Sequence, residues 1–238
     1  MRLPHFPLHA VLFPHLPLPL HVFEERYRAM AADVVDDASP YAARFVVSMI
    51  VEGREVGGEA TAQPIGTIVE VRSAERFPDG RWLLLVVGVA RARIRGVDRS
   101  GPYVVAEVDP IDEPLGEDAA ALLPAVQHAL DAYLATVKRF VVRTASLGSN
   151  EPQEPTAVAA TLDRMLKPIQ LPDDPVAASY AIGGVLQIEL SRKQQLLEIP
   201  DAVSRLRTEL ELLRRESRLL DDGAMPPVQA SDIGFHPN

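Results

Sequence analysis

The chain has 238 residues, with 24 Lys and Arg against 33 Asp and Glu, 47% hydrophobic residues and no cysteine. At roughly 100 to 200 residues per domain this is one large domain or two small ones, with chain enough to bury about 70% of its extended surface, which excludes a staple-dependent miniprotein. The missing cysteine excludes a disulfide framework, a thiolate metal site and a cysteine nucleophile, and the formal charge of −9 argues against bulk attraction to nucleic acid or anionic lipid while leaving room for a local basic patch.

The apolar run from Leu3 to Phe23 is broken by Pro4, Pro7, Pro14, Pro17 and Pro19 and interrupted by His9, His15 and His21, so it makes no continuous membrane helix. Glu24, Glu25 and Arg26 follow it directly, unlike the cleavage region of a secretory leader. A mature, soluble, cytoplasmic protein is expected. Proline belongs at strand ends and edges, so the run should form short, kinked strands whose Leu12, Phe13, Leu20 and Phe23 fill a core. Phe23, Tyr27, Met30 and Val34 then recur at the helical period, with Glu24 and Arg28 as an i,i+4 pair, and the helix should end before Ser39-Pro40.

Strand-like runs follow at Val46–Val51, Gly66–Val71, Trp82–Val87, Ala90–Ile94 and Tyr103–Val108. Pro78-Asp79-Gly80 is the clearest turn and predicts a hairpin between Ile68–Glu75 and Arg81–Val87; Gly57-Gly58 and Ser100-Gly101-Pro102 punctuate similarly. The texture changes near Asp112 to Glu117. Leu122, Val126, Leu130, Tyr133, Val137 and Val141 mark one stripe of a long helix from Glu117 to Val142. Further helices are predicted over Thr156–Leu166, from Asp174-Pro175 toward Glu189, from a capping box at Ser191-Arg192-Lys193-Gln194, and from Pro200-Asp201 through Val203, Leu206, Leu210, Leu213 and Leu220. That last stripe either packs on the long helix, the favoured reading, or pairs with a second copy or a partner. The aperiodic stretch after Asp221 reads as disordered. The expected division is a β-rich subdomain over residues 1–112, a helical subdomain over 113–218 and a tail over 219–238.

Catalytic constellations are mostly missing. There is no Gly-x-x-x-x-Gly-Lys-Ser/Thr to cradle phosphates, no Gly-x-Gly-x-x-Gly and no Gly-x-Ser-x-Gly. Lysine occurs only at Lys138, Lys167 and Lys193, and Ser191 is two residues from Lys193, a spacing that does not face on a helix. Ser146 to Asn150 reads as a polar loop. His5, His9, His15 and His21 share no helical face or carboxylate at ligand spacing and read as surface or turn residues. Glu24-Glu25 and Asp173-Asp174 read as helix-start acids rather than acid/base pairs. No catalytic residue, metal ligand or cofactor is expected. Arg91, Arg93 and Arg95 alternate with Ala92 and Ile94, so a strand there would point three guanidinia to one side and form the best nucleic-acid feature of the chain. No aromatic platform adjoins that row, and Glu70, Glu75 or Glu107 could neutralise it, so a solvated face is the favoured reading.

One segment is more specific. Phe6-Pro7-Leu8-His9-Ala10-Val11-Leu12-Phe13-Pro14, then Leu16-Pro17-Leu18-Pro19-Leu20-His21-Val22-Phe23-Glu24-Glu25-Arg26-Tyr27, resembles the opening signature of the Lon N-terminal domain family. The likeness extends through Gly53–Gly57, Gly66–Val71, the Pro78–Arg81 turn and Ser191–Glu198, to about Glu216. It departs at His15, where the family usually has glycine; if that turn needs a positive φ, histidine adopts it at some strain. The resemblance implies an α+β fold: a PUA-like, partly closed β-barrel with one inserted helix, then an α-helical subdomain. In Lon proteases this region helps recognise protein substrates and contributes to assembly, with the ATPase and Ser-Lys protease domains downstream; this chain ends before them.

The expected function is therefore a standalone, non-enzymatic domain that binds unfolded polypeptide or a partner protein, with an ATP-dependent protease as the candidate partner, in a groove between its subdomains with exposed Leu or Phe as anchors. Its residues are not identifiable from sequence. A monomer is expected, with a weak dimer as alternative. The competing readings are a nucleic-acid module using Arg91, Arg93 and Arg95, and an unrecognised hydrolase.

Overall fold

A computed structural model describes residues 1–41, 43–56, 60–148, 169–223 and 236–237. Contacts divide the chain into two compact units: Met1–Glu113 with Gly183–Ile199 and Val228–Asn238, and Pro114–Ile182 with Pro200–Pro227. A single cut at residue 112 therefore does not describe the chain, because Gly183–Ile199 returns to the first unit. The expected tail also changes at both ends: helix runs through Asp221, and His236–Pro237 is a strand.

In the first unit the strands are β1 (Arg2–Leu8), β2 (Pro17–Val22), β3 (Arg44–Gly53), β4 (Ala60–Ala62), β5 (Ile65–Arg76), β6 (Trp82–Asp98), β7 (Val105–Pro110) and β8 (His236–Pro237). β1 pairs in parallel with β3 and antiparallel with β7; β7 pairs with β6, β6 with β5 and β5 with β3, so five strands close a ring. Its small interior draws on all five, from Leu3, Val46, Ile68, Ala92, Ala106 and Val108. β2 runs beside the first half of β6, outside the ring. This is the partly closed barrel expected.

The two runs expected as separate strands at Trp82–Val87 and Ala90–Ile94 are one strand, continuous through Gly88. The chain before β2 crosses over that glycine: His15 N–H donates to the Gly88 carbonyl at 2.8 Å, and Gly88 N–H to Leu16 at 3.0 Å. A Cβ on Gly88 would stand 2.5 Å from the Phe13 carbonyl oxygen, so only glycine admits the crossing.

Two prolines sit within β1 without breaking it. The Met1 amine donates to the Val108 carbonyl of β7 and the His5 N–H to the Val104 carbonyl just before it. Alternation then aims the nitrogen of Pro7 past the end of β7 and that of Pro4 ahead of the β3 pairing that begins at His5. No ladder bond is lost.

Helix α1 (Glu25–Val35) lays Tyr27, Met30, Ala31 and Val34 against Phe6, Leu20, Val22, Phe45, Leu84 and Val86. Phe23 lies before the helix.

His15 has φ +66°, so the site does require the left-handed region. His15→Gly is expected to raise the unfolding free energy by up to about 1 kcal/mol, since a non-glycine residue there carries roughly that strain; urea denaturation measures it.

The second unit holds α2 (Ala119–Gly148), most of α3 (Pro175–Val185) and α5 (Ala202–Asp221); α4 (Leu190–Glu198) belongs to the first. The apolar stripes of α2 and α5 are buried at Val126, Leu130 and Tyr133 and at Val203, Leu206, Leu213 and Leu220, with α5 packed along α2, as the favoured reading of the leucine stripe had it. Asp201 caps α5 by accepting from the Ser204 N–H at 2.7 Å, and Asp174 accepts from the Ala177 N–H at the start of α3. α2 continues through Ser146 to Gly148 of the expected polar loop; Ser149 and Asn150 lie outside the described residues. α3 stops at Val185 rather than Glu189, just after Gly183 and Gly184, which sit against Phe13 and Leu16 where a larger residue would clash.

The capping box at Ser191 is not formed. Glu189 holds the N-cap position, Ser191 is inside α4, and Gln194 instead donates to the Ile65 carbonyl at 3.0 Å and to Glu198 at 2.7 Å. The helix expected over Thr156–Leu166 and the turn at Gly57-Gly58 lie outside the described residues.

Candidate functional site

The arginine row is not a row. Arg91 is 1% exposed, and its guanidinium donates to Glu113, to the Leu197 and Ile199 carbonyls at 3.0 and 2.6 Å, and to the Asp112 carbonyl at 3.2 Å. It closes the carboxyl end of α4, where orphan carbonyls and the helix dipole favour a cation. Arg93 and Arg95 are exposed, and Arg95 pairs with Asp109 at 2.6 Å. The expectation of three guanidinia available to a nucleic acid is thus corrected at Arg91: a buried group with four donors bonded inside the protein does not reach a phosphate.

The other residues weighed for chemistry are dispersed. His5 is buried with Nε2 2.7 Å from Ser48 Oγ, and burial, then the Arg99 charge, holds its pKa down to about 4. His15 occupies the tight turn and His21 lies against Phe23 and Phe77, so the four histidines share no site. Lys193 donates to the Gly184 carbonyl at 3.3 Å, with its pKa lowered by burial, while Ser191 is exposed. Lys138 lies on α2 beside Ala135, Arg139, Val142 and Arg143, which line an open cavity of about 500 Å³. Two of its cations are engaged: Arg139 pairs with Asp221 at 3.0 Å, and Arg143 donates to the Leu220 carbonyl at 3.4 Å, at the carboxyl end of α5.

A feature that sequence reasoning missed lies on the sheet face opposite α1. Leu20, Val22, Leu84 and Val86 point into the core, so alternation places Pro17, Pro19 and His21 of β2 and Leu83, Leu85 and Val87 of β6 on the other side. In register, Pro17 stands beside Val87, Pro19 beside Leu85 and His21 beside Leu83. Leu85 is 40% exposed, and Pro19, Leu83 and Val87 are half-buried. At one end of this strip, His21 is 6.2 Å from the Phe23 ring and 6.3 Å from the Phe77 ring. Nearby, Arg81 lies over Phe77 at 5.8 Å. An apolar strip with aromatic and arginine side chains at its end has the composition of protein-binding surfaces, where such residues supply contact area at low entropic cost. No sequence signal marked it, since Leu83 to Val87 are uniformly apolar and leucines on both faces of a strand look alike.

Among the described residues no helix is long and apolar enough to cross a membrane. Residues 2–215 match the family model of the substrate-binding domain of ATP-dependent protease La (LON). The chain is 27% identical over 215 residues to Lon protease of Trichlorobacter lovleyi, covering 89% of this chain and 23% of that protein. It is 29% identical over 224 residues to Lon protease 2 of Herpetosiphon aurantiacus, covering 93% and 24%. It spans about a quarter of the length of these relatives. Among solved structures, a Lon N-terminal domain protein from Xanthomonas campestris superposes with a TM-score of 0.57 at 22% identity, covering 89% of this chain and 98% of that one. The N-terminal domain of Mycobacterium avium complex Lon protease superposes at 0.59 and 20% identity, covering 90% and 98%.

Proposed function

Because this chain belongs to the family of LON substrate-binding domains, we propose that it is a non-catalytic recognition domain that holds extended polypeptide segments on the outer face of β2 and β6. It works in the cytoplasm as a monomeric adaptor for proteolysis or protein quality control, with an ATP-dependent protease as its partner. The carrying observation is the half-exposed strip of Pro17, Pro19, Leu83, Leu85 and Val87, with Arg81, Phe23 and Phe77 near its end. Such a strip takes apolar side chains of an unfolded segment without demanding a sequence. The absence of P-loop and Gly-x-Ser-x-Gly motifs from the sequence supports binding without turnover.

Binding of fluorescently labelled, reduced and carboxymethylated lactalbumin, a permanently unfolded polypeptide, tests the reading. Leu85→Asp is expected to weaken binding about tenfold, the size of a modest interface anchor, while changing folding stability by no more than about 0.5 to 1 kcal/mol, because Leu85 is already 40% exposed. Unchanged affinity in a folded Leu85→Asp protein would remove this face as the site.

A further inference from the structure

We propose that the outer edge of β2 is a strand-acceptor edge for extended polypeptide, and that β8 of this same chain occupies it until a client displaces it; this rests on the polypeptide-binding reading above. β8, His236–Pro237, pairs in parallel with β2, with Leu20 opposite His236 and His21 opposite Pro237.

The backbone of β2 explains why pairing occurs there. Gly88 N–H donates to the Leu16 carbonyl, so the even-numbered residues of β2 turn their polar groups toward β6, and Pro17, Pro19 and His21 present theirs to the opposite edge. Two of those three residues have no N–H. The edge therefore offers carbonyls at Pro17 and Pro19 and a donor at His21, a pattern that guards it against indiscriminate strand addition. Only from Pro19 to His21 can an incoming strand both donate and accept. β8 is registered on that stretch: the parallel register sets the His236 N–H against the Pro19 carbonyl and the His21 N–H against the His236 carbonyl, while the nitrogen of Pro237 turns away.

The segment also has the chemistry of a client. Residues 224–238 contain Met225, Val228, Ile233 and Phe235, three prolines and a single acidic residue, Asp232. β8 pairs on the strand that carries Pro19 and His21 of the strip assigned above to polypeptide binding. A tethered segment competes at an effective concentration on the order of millimolar. It is held at two register positions only, so a longer client that also engages the apolar strip displaces it. Strand addition to a sheet edge gives such binding its affinity through the backbone and its tolerance of sequence.

Full-length chains carry the test. The His21 amide is expected to exchange with solvent at least about tenfold more slowly in the wild type than in His236→Pro, which lacks the N–H that meets Pro19. Unfolded lactalbumin is expected to bind His236→Pro about three- to tenfold more tightly than wild type. His21→Pro, without the edge donor, loses that gain when combined with His236→Pro, whereas His21→Ala, which keeps the N–H, controls for the side chain and the fold. Equal His21 exchange in wild type and His236→Pro overturns the inference, because the segment is then unpaired. Slowed exchange with unchanged lactalbumin affinity also overturns it, as pairing without competition, and leaves the polypeptide-binding reading standing. If no variant binds lactalbumin, that reading fails and competition fails with it, while the exchange data still report the pairing.

Discussion

Arg91→Ala is expected to lower the unfolding free energy by about 3 to 5 kcal/mol, the range for breaking a buried charged network by removing one partner. The guanidinium meets Glu113 and the carbonyls of Asp112, Leu197 and Ile199, and it is almost fully buried. Alanine would leave a carboxylate and three carbonyls without that donor, each costing the desolvation of an unmatched polar group. Arg91→Lys should recover only part, because one ammonium cannot reproduce the planar fork that reaches several acceptors. Arg93→Ala, at an exposed position on the same strand, is expected to stay within about 0.5 kcal/mol of wild type. Urea unfolding of the three variants decides: similar small effects at Arg91 and Arg93 would mean that Arg91 does not hold α4 to the ring.

Stability is expected to fall by about 3 kcal/mol as pH is lowered from 6.5 to 4 through His5 alone. Its pKa, ordinarily 6.5, is held at about 4, first by burial and then by Arg99. Between those values the unfolded chain binds a proton that the folded one refuses, so His5's contribution is complete above pH 6.5 and lost as pH drops. Glu209 acts in the opposite sense. It is wholly buried on α5, neither carboxylate oxygen has a hydrogen-bond partner among the described residues, and burial, only partly offset by Arg205, pushes its pKa well above the ordinary carboxylate value. The folded chain therefore keeps a proton that the unfolded chain releases, and stability falls as pH rises from about 4.5 toward the raised value. Denaturation at a series of pH values separates the two: His5→Gln should flatten the acid limb, and Glu209→Gln the opposing slope, with a gain at neutral pH. An acid limb that survives His5→Gln would show that other groups cause it.

The sequence by itself determined what depends on neighbours along the chain. The turn at Pro78-Asp79-Gly80, the caps at Asp174 and Asp201, the buried face of α1 and the leucine stripe of α5 were all legible there, because period and turn chemistry act over a few residues. The opening signature through Tyr27 carried the family, and even the strain at His15 was readable as a departure from glycine. Only the tertiary structure decided what depends on pairing across distance. Strand alternation places Arg91, Arg93 and Arg95 alike, yet Arg91 is consumed by carbonyls 106 and 108 residues further on, and no local pattern foretells that return. Gln194, which read as half of a capping box, is drawn instead to Ile65, 129 residues away. The candidate surface was hidden for the same reason. Leu83 to Val87 are nearly uniform in sequence, and it is the packing of α1 on one side of β6 that buries Leu84 and Val86 and leaves Leu83, Leu85 and Val87 facing outward. The ring that sets Gly88 under the Phe13 crossing likewise joins two short runs into one long strand. Burial and register are properties of contacts between distant segments, and a linear sequence records them only as residues that tolerate the outcome.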